Sequence, residues 1–300
     1  MAAVESSPAA TVLIPTHDRG ALLAYSLASA LRQTVQDIEV LIAGDGVTDS
    51  TREVADDAVR RDRRVRFLDN PKAAHRGEAN RHAAVLRARG AIVCHLDDDD
   101  LWLPHHVETM LALLEHADIA TTMPVLVCGG EVRPFPIDLS NAVHRRLWTH
   151  PRSTFASSPT FVAYRTAAYR RLPIGWHPPR EGHASDKYVW AQFLADPKCR
   201  VNSGFRVTAL GLPSAERAGV GIGERAEERR RWTDRLADAD GRASFQFEVL
   251  AGLAHDHVER LSLIWGALEI ALGVPVVGDL AISVGRRIFG RCHSHTQHRE

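Results

Sequence analysis

Four consecutive carboxylates, Asp97, Asp98, Asp99 and Asp100, follow an apolar run at 91–96 and precede Leu101-Trp102-Leu103. Adjacent carboxylates repel, so they take up protons, splay into water or share a cation whose charge exceeds one. Ala91, Ile92, Val93, Cys94 and Leu96 suit a strand buried on both faces, and no packed core accepts four aspartates at its end. If the backbone stays extended, alternation puts Asp97 and Asp99 on one side and Asp98 and Asp100 on the other. An Asp-x-Asp pair of oxygen ligands suits a hard ion, Mn2+ or Mg2+, completed by water and substrate phosphates. Ligands of open α/β sheets sit just beyond the carboxyl ends of the strands, where this cluster falls. The plainer reading is an acidic surface turn.

The elements that must carry this cluster alternate. Residues 11–15 (TVLIP) read as a strand, followed by a helix with Leu23, Leu27 and Leu31 that Asp18 is expected to cap. Residues 38–43 form a second strand, closed by Gly44-Asp45-Gly46. Ser50-Thr51-Arg52-Glu53 has the form of a capping box opening a second helix. A third strand at 65–68 and a helix at 78–89, stopped by Gly90 as a glycine cap, lead to the acidic strand. This rhythm implies a parallel sheet with right-handed crossovers.

Past 103, a helix is expected at 106–116 and a hairpin at 125–133 around Gly129-Gly130. Residues 134–159 read as an irregular pocket-shaping loop, with a strand at 160–164, helices at 166–172 and 186–195, and a return to the sheet at 200–210. The charge-dense run at 224–235 reads as a solvated helix laced with side-chain pairs, and 245–272 as a more apolar helix. Residues 261–278 carry one charge, Glu269. Gly273 and Pro275 interrupt them, which favours a packed or self-associating helix over a membrane span; a peripheral membrane contact through this stretch with Arg286, Arg287 and Arg291 is the alternative. The histidine-bearing end reads as a disordered tail. The expected divisions are a disordered 1–10, a nucleotide-binding half at 11–125, an acceptor half at 126–211 and a helical extension at 212–300.

Composition narrows the classes. Lysine plus arginine equals aspartate plus glutamate at 37 each, so no global field favours a nucleic acid. With 45% hydrophobic and 25% charged residues the chain is an ordinary globular one. Cys94, Cys128, Cys199 and Cys292 form no Cys-x-x-Cys pair and read as reduced thiols. The start MAAVESSPAA has no basic-then-apolar signal pattern, which places the chain in the cytoplasm, with the inner membrane face as the alternative.

Four stretches in order, TVLIPTHDR, Gly-Asp-Gly followed by Thr48-Asp49-Ser50-Thr51, Gly77-Glu78-Ala79-Asn80-Arg81 and LDDDDLWLP, together resemble the family-two glycosyltransferases over about residues 10–210. The resemblance implies a glycosyltransferase A fold, a mostly parallel Rossmann-like α/β sheet with helices on both faces, here with a C-terminal helical extension. It implies an inverting enzyme using a nucleotide-diphosphate sugar, with a glycan, lipid-linked or small-molecule acceptor. Carried over residue by residue, Pro15, Thr16 and Arg19 sit by the base and diphosphate, Asp45 accepts from the base, Arg81 lies near the diphosphate, and Asp97 and Asp98 belong to the nucleotide-sugar site. Asp97 approaches the ribose or the metal and Asp99 is the main metal ligand. The sequence reads Asn80-Arg81 where many members read Arg-Asn, and no late histidine ligand is matched, which leaves water to complete the shell. The acidic base falls on Asp186, whose plainer reading is a helix cap.

Other aromatic and histidine positions have two readings each. Trp102 floors the sugar pocket or merely packs; Trp176 and His177 touch the acceptor or anchor a loop. His95 reads as a core histidine, and His105 and His106 as facing solvent or the helix start. Two rival functions remain. A sugar-phosphate nucleotidyltransferase needs a glycine-rich basic loop after its first strand, unlike Pro15-Thr16-His17-Asp18-Arg19. A non-catalytic scaffold would have no need of Asp45, Asp97, Asp99 and Asp186 together.

Overall fold

The computed structural model describes residues 7–151, 153, 158–179 and 184–272. Strand and helix alternate through β1 (Ala10–Thr16), α1 (Gly20–Leu31), β2 (Ile38–Asp45), α2 (Asp49–Arg61), β3 (Val65–Asn70), α3 (Glu78–Leu86) and β4 (Ile92–His95). A short β5 (Leu101–Trp102), α4 (His106–Leu113) and β6 (Ile119–Thr121) follow, then the hairpin β7 (Val125–Cys128) and β8 (Glu131–Pro134). The chain continues through α5 (Ala142–Thr149), β9 (Val162–Arg165), α6 (Thr166–Tyr169), α7 (Ser185–Ala195), β10 (Val201–Ser203), β11 (Ala209–Leu210), α8 (Ile222–Ala237) and α9 (Ala239–Leu272).

Seven strands form one sheet in the order β10-β6-β9-β4-β1-β2-β3. β1 runs parallel to β2 and β4, β2 to β3 and β6 to β10, whereas β9 runs antiparallel to β4 and β6. The expected mostly parallel α/β fold is therefore present. Helices cover both faces, which is why β2 is buried at every position and its sequence shows no alternation. Val12, Ile14, Val40, Ile42 and Cys94 pack with Leu23 and Leu27 of α1 on one face. Leu13, Leu41 and Val93 pack with Ala84 and Val85 of α3, Trp190 and Phe193 of α7 and Tyr164 on the other. The chain divides into two compact units between Gln246 and Phe247, so α8 belongs with the sheet, where it packs on α1.

Several local expectations change. α1 begins at Gly20, and the Gly20 amide is satisfied by Thr51 Oγ1 at 3.0 Å; Asp18 does not cap it. α2 begins two residues earlier than the Ser50 box requires, with Thr48 at its N-cap, so the reciprocal Ser50–Glu53 bonds do not form. α3 stops at Leu86. Gly90 has a different task from capping: a Cβ there would lie 2.3 Å from the Thr11 amide nitrogen, so only glycine lets this segment approach β1. The 134–159 stretch contains α5, whose Asn141 side chain accepts from the Val143 and His144 amides. β5 and β6 are additional strands, too short to read as periodic runs. The Gly129-Gly130 hairpin forms as expected, both glycines having positive φ. Residues 273–300, including the basic triplet and the histidine-bearing end, lie outside the described residues, and among the described residues no helix is long and apolar enough to cross a membrane.

The two buried histidines correct and confirm a reading. His95 is a core residue bonded to the Tyr164 hydroxyl at 2.7 Å. His106 does not face solvent: it is fully buried, stacks on Trp102 with ring centroids 4.1 Å apart, and bonds Thr208 at 2.8 Å. Burial pushes both imidazoles down to about 3 from 6.5. A depressed histidine pKa favours the neutral ring in the fold, so this contribution is complete above pH 6.5 and is lost as pH falls towards 3. Between pH 7 and pH 5 each histidine is expected to remove about 2 kcal/mol of stability. Urea unfolding of H106Q at the two pH values checks this; a pH slope as steep as that of the parent overturns it.

Candidate functional site

The carboxyl ends of β1, β2 and β4 open on one cavity of about 960 Å3. Its wall includes Pro15, Thr16 and Arg19 after β1, Asp45 at the end of β2, Arg81 of α3, Asp97 to Asp100 after β4, and Asp186 of α7. Parallel strands that start together must end together, which gathers residues separated by 171 positions from Pro15 to Asp186 in sequence. Every residue singled out for the nucleotide-sugar, metal and base roles is in that wall.

The acidic run does not stay extended. The Asp100 amide donates to the Asp97 carbonyl at 3.1 Å, closing a turn, and the simple two-sided alternation is replaced by four separate environments. Asp97 accepts from Ser158 Oγ at 3.2 Å, and its amide donates to Thr160 Oγ1 at 3.0 Å. Asp98 accepts from Thr16 Oγ1 at 2.7 Å and from Arg19 Nη1 at 3.1 Å. Asp99 Oδ2 accepts from Arg19 at 3.1 Å, Ser214 Oγ at 2.5 Å and Arg225 Nη2 at 2.8 Å. Asp100 is a structural staple: Thr160 Oγ1 donates to it at 2.5 Å and the Leu212 amide at 2.7 Å, while its carbonyl accepts from Ser26.

Crowding sets the electrostatics. Burial, then repulsion from Asp99, raises Asp98 to about 7 against the pull of Arg19. Burial raises Asp97 to about 6; Arg81 opposes this, while Asp99 and Asp186 add to it. Asp100 is raised well above the carboxylate range by burial and its neighbours. The coupling of Asp97 to Asp186 places the expected base within electrostatic reach of the acidic turn.

Asp45 is engaged by the protein itself. Its oxygens accept from the Ala73 amide and Asn80 Nδ2, both at 2.7 Å, and pair with Lys72 Nζ. Burial disfavours its charge, but these donors outweigh it and hold the carboxyl below its ordinary value. Asp45 thus anchors the loop after β3, whose Lys72, His75 and Arg76 join the wall. No local motif marks these three, because their loop is defined only by the β2–β3 register. Arg81 lies with its guanidinium carbon 5.3 Å from the Trp176 ring centre, and its Nε is buried without a partner.

Trp176 lines the cavity, whereas Trp102 is a packing residue whose indole donates to the Thr160 carbonyl at 3.1 Å. His177 is exposed and lies outside the wall. Asp186 occupies the first turn of α7 behind Ala184, the N-cap residue, and receives the Lys187 amide at 2.8 Å rather than capping the helix. The charge run at 224–235 is only partly solvated. Arg230 pairs at the surface with Glu227 and Asp234, but Arg229 is fully buried and donates to the Asp99 carbonyl at 3.1 Å. Ser214, Arg225 and Arg229 were not readable as site residues, since a helix written in charges signals solvent until its partner is known.

The cavity at the strand ends of this mostly parallel α/β sheet is lined by carboxylates and guanidinium groups and lies where open α/β sheets bind their ligands. More narrowly, the chain belongs to glycosyl transferase family 2, whose model matches residues 11–173. It is 36% identical over 127 residues to the chondroitin synthase of Pasteurella multocida strain Pm70, covering 42% of this chain and 13% of that protein. It is 33% identical over 123 residues to the validoxylamine A glucosyltransferase of Streptomyces hygroscopicus subsp. jinggangensis strain 5008, covering 40% of this chain and 28% of that one. The matched stretches are therefore less than a third of these relatives' lengths. In fold it is similar to S. aureus TarS 1–349, solved with UDP-GlcNAc, with a TM-score of 0.54, 19% identity and coverage of 68% of this chain and 58% of that one. It is also similar to the mannosyltransferase PcManGT of Pyrobaculum calidifontis, solved with GDP-Man and Mn2+, with a TM-score of 0.51, 16% identity and coverage of 95% and 81%.

Thr160 ties the turn together, accepting from the Asp97 amide and donating to Asp100 while fully buried. Thr160→Val keeps the shape and strands both groups, so it is expected to cost about 2–3 kcal/mol. Denaturant unfolding measures it, and a loss below about 0.5 kcal/mol shows that the hydroxyl does not organise the turn.

Proposed function

We propose that this chain is a metal-dependent, inverting glycosyltransferase that moves a sugar from a nucleotide-diphosphate donor to an acceptor hydroxyl. The observation that carries the reading is the single cavity in which the acidic turn and Arg19 and Arg81 meet Asp186 from the second half of the domain. A binding module needs the first set alone; group transfer needs both.

The donor set fits a hard divalent cation. Asp97 and Asp99 supply oxygens only, none of their described side-chain bonds falls on Oδ1 of either, and Asp97 is raised by burial and then by the neighbouring Asp99, a cost that a cation would offset. Among the described residues no group of three or more His, Cys, Asp or Glu is gathered for a metal; a hard divalent cation usually keeps several waters and is held by one or two carboxylates plus substrate phosphates. Asp97 and Asp99 would hold Mn2+ or Mg2+, which when bound supplies positive charge to the departing diphosphate.

The chain's own groups do the rest. Arg19 and Arg81 bind the diphosphate and face the charge its oxygen gains as the bond from the anomeric carbon breaks. Pro15 and Thr16 border the nucleotide, and Asp98, held by Thr16 and Arg19, fixes Arg19 in place. Asp45 positions the loop at 71–76 that closes over the base. Asp186 takes the acceptor hydroxyl's proton while that oxygen attacks the anomeric carbon opposite the diphosphate, and the configuration inverts. Trp176, braced by Arg81, offers a flat apolar face to a sugar ring. The acceptor classes open to this site are a glycan, a lipid-linked glycan or a small molecule.

Thermal unfolding with UDP, GDP, ADP, CDP or dTDP, with Mn2+ or with chelator, tests the donor site. One nucleotide is expected to raise the unfolding temperature of the parent but not of Asp99→Ala, and only with metal. Failure of all five removes the donor reading in favour of a scaffold. Asp186→Asn is expected to bind that nucleotide as the parent does and to lose about 10²–10⁴-fold in turnover. Retained turnover in Asp186→Asn takes the base role from this residue.

A further inference from the structure

Helix α8 lies past the matched family segment, yet it reaches the acidic turn. Arg225 Nη2 donates to Asp99 Oδ2 at 2.8 Å and to Ser214 Oγ at 2.9 Å, and Ser214 Oγ donates to the same carboxylate oxygen at 2.5 Å. Arg19 adds a third bond to Oδ2 at 3.1 Å. No described side-chain bond falls on Asp99 Oδ1. Arg229 bolts the helix down, donating to the Asp99 and Leu212 carbonyls at 3.1 and 3.2 Å.

A surface ion pair would be a weak reason to assign a role, but this pair is not at the surface. The Arg225 and Asp99 side chains are 12% and 7% exposed. Burying such a pair costs desolvation that only well-placed bonds offset. The Nε of Arg225 is buried with no partner, so the guanidinium is placed to serve Asp99 at the expense of its own satisfaction. Two guanidinium groups and a hydroxyl on one oxygen leave the carboxylate a single orientation.

We propose that Arg225 is a positioning residue of the donor site: it fixes Asp99 through Oδ2 and leaves Oδ1 for the cation. This rests on the donor-site reading above. A carboxylate already fixed loses no orientational freedom on binding, which favours the bound state. A guanidinium beside Asp99 also repels an incoming cation, and that effect has the opposite sign. The two roles are therefore separable by measuring binding itself.

Mn2+ binding to the full chain, followed by the electron paramagnetic resonance of free Mn2+ with UDP, GDP, ADP, CDP or dTDP present, is compared among the parent, Arg225→Ala, Arg225→Lys and Ser214→Ala. Removing a group that orients a metal-facing residue is expected to weaken Mn2+ binding about tenfold in R225A, with partial recovery in R225K. Ser214→Ala, which leaves every arginine in place, is expected to move binding in the same direction by a smaller factor, and it carries the test if R225A does not fold. Binding in R225A that equals or exceeds the parent's, or no change in S214A, overturns the assignment. A parent that holds no Mn2+ with any of the five nucleotides overturns the donor reading and the assignment with it; a parent that binds, beside variants that bind equally, overturns the assignment alone.

Discussion

Two carboxylates about 5 Å apart, in surroundings of effective dielectric about 20, repel by about 3 kcal/mol, and the turn from Asp97 to Asp100 brings four carboxylates together. A charge-assisted hydrogen bond returns about 1.5–3 kcal/mol, so roughly one is needed for each repulsion. The structure supplies them from every side: Thr16 and Arg19 from the end of β1, Ser158 and Thr160 ahead of β9, Ser214 after β11 and Arg225 from α8. Burial, and after it the repulsion among these neighbours, raises Asp97 and Asp98 to about 6 and about 7. Asp100 serves the turn's own shape, held by Thr160 and the Leu212 amide.

That arrangement depends on the sheet in a simple geometric way. β1, β2 and β4 are parallel and in register, so Thr16, Asp45 and Asp97 emerge at one edge. The antiparallel β9 then carries Ser158 and Thr160, from the segment before it, to that same edge. Its reversed direction is what allows hydroxyls preceding a strand to meet carboxylates following one. On the cavity's far side, α7 rests on Trp190 and Phe193, both buried in the core, so the position of Asp186 is set by packing several residues away.

Much of this was legible in the sequence because the chemistry and the strand endings are local. Unbroken apolar runs gave away β1, β2 and β4, and Gly129-Gly130 gave away the hairpin. The residues expected in the cavity wall, Pro15, Thr16, Arg19, Asp45, Arg81, Asp97, Asp98, Asp99 and Asp186, are all there. What was not legible depends on partners distant in sequence. Asp18 and Ser50 have the right types for caps, but the Gly20 amide is taken by Thr51, a residue no local pattern connects to it. Gly90 reads as a stop signal until β1 is seen against it. Arg229 reads as a surface charge because burial of an arginine is decided by what it meets, here the Asp99 and Leu212 carbonyls.

The family match ends at residue 173, and the cavity does not. Asp186, Pro213, Ser214 and Ala215 in the wall, and Arg225 behind it, come from the following chain. The matched segment holds the strand ends, the guanidinium groups of Arg19 and Arg81 and the acidic turn. The later segment completes the cavity wall and braces the acidic turn from outside. Ser214 contacts Asp99 while Pro213 and Ala215 border the cavity, so one hydroxyl and one guanidinium tie this later part of the wall to the acidic turn. α8 is thus physically part of what holds the acidic turn, through Arg225 and Arg229, although it lies outside the shared sequence.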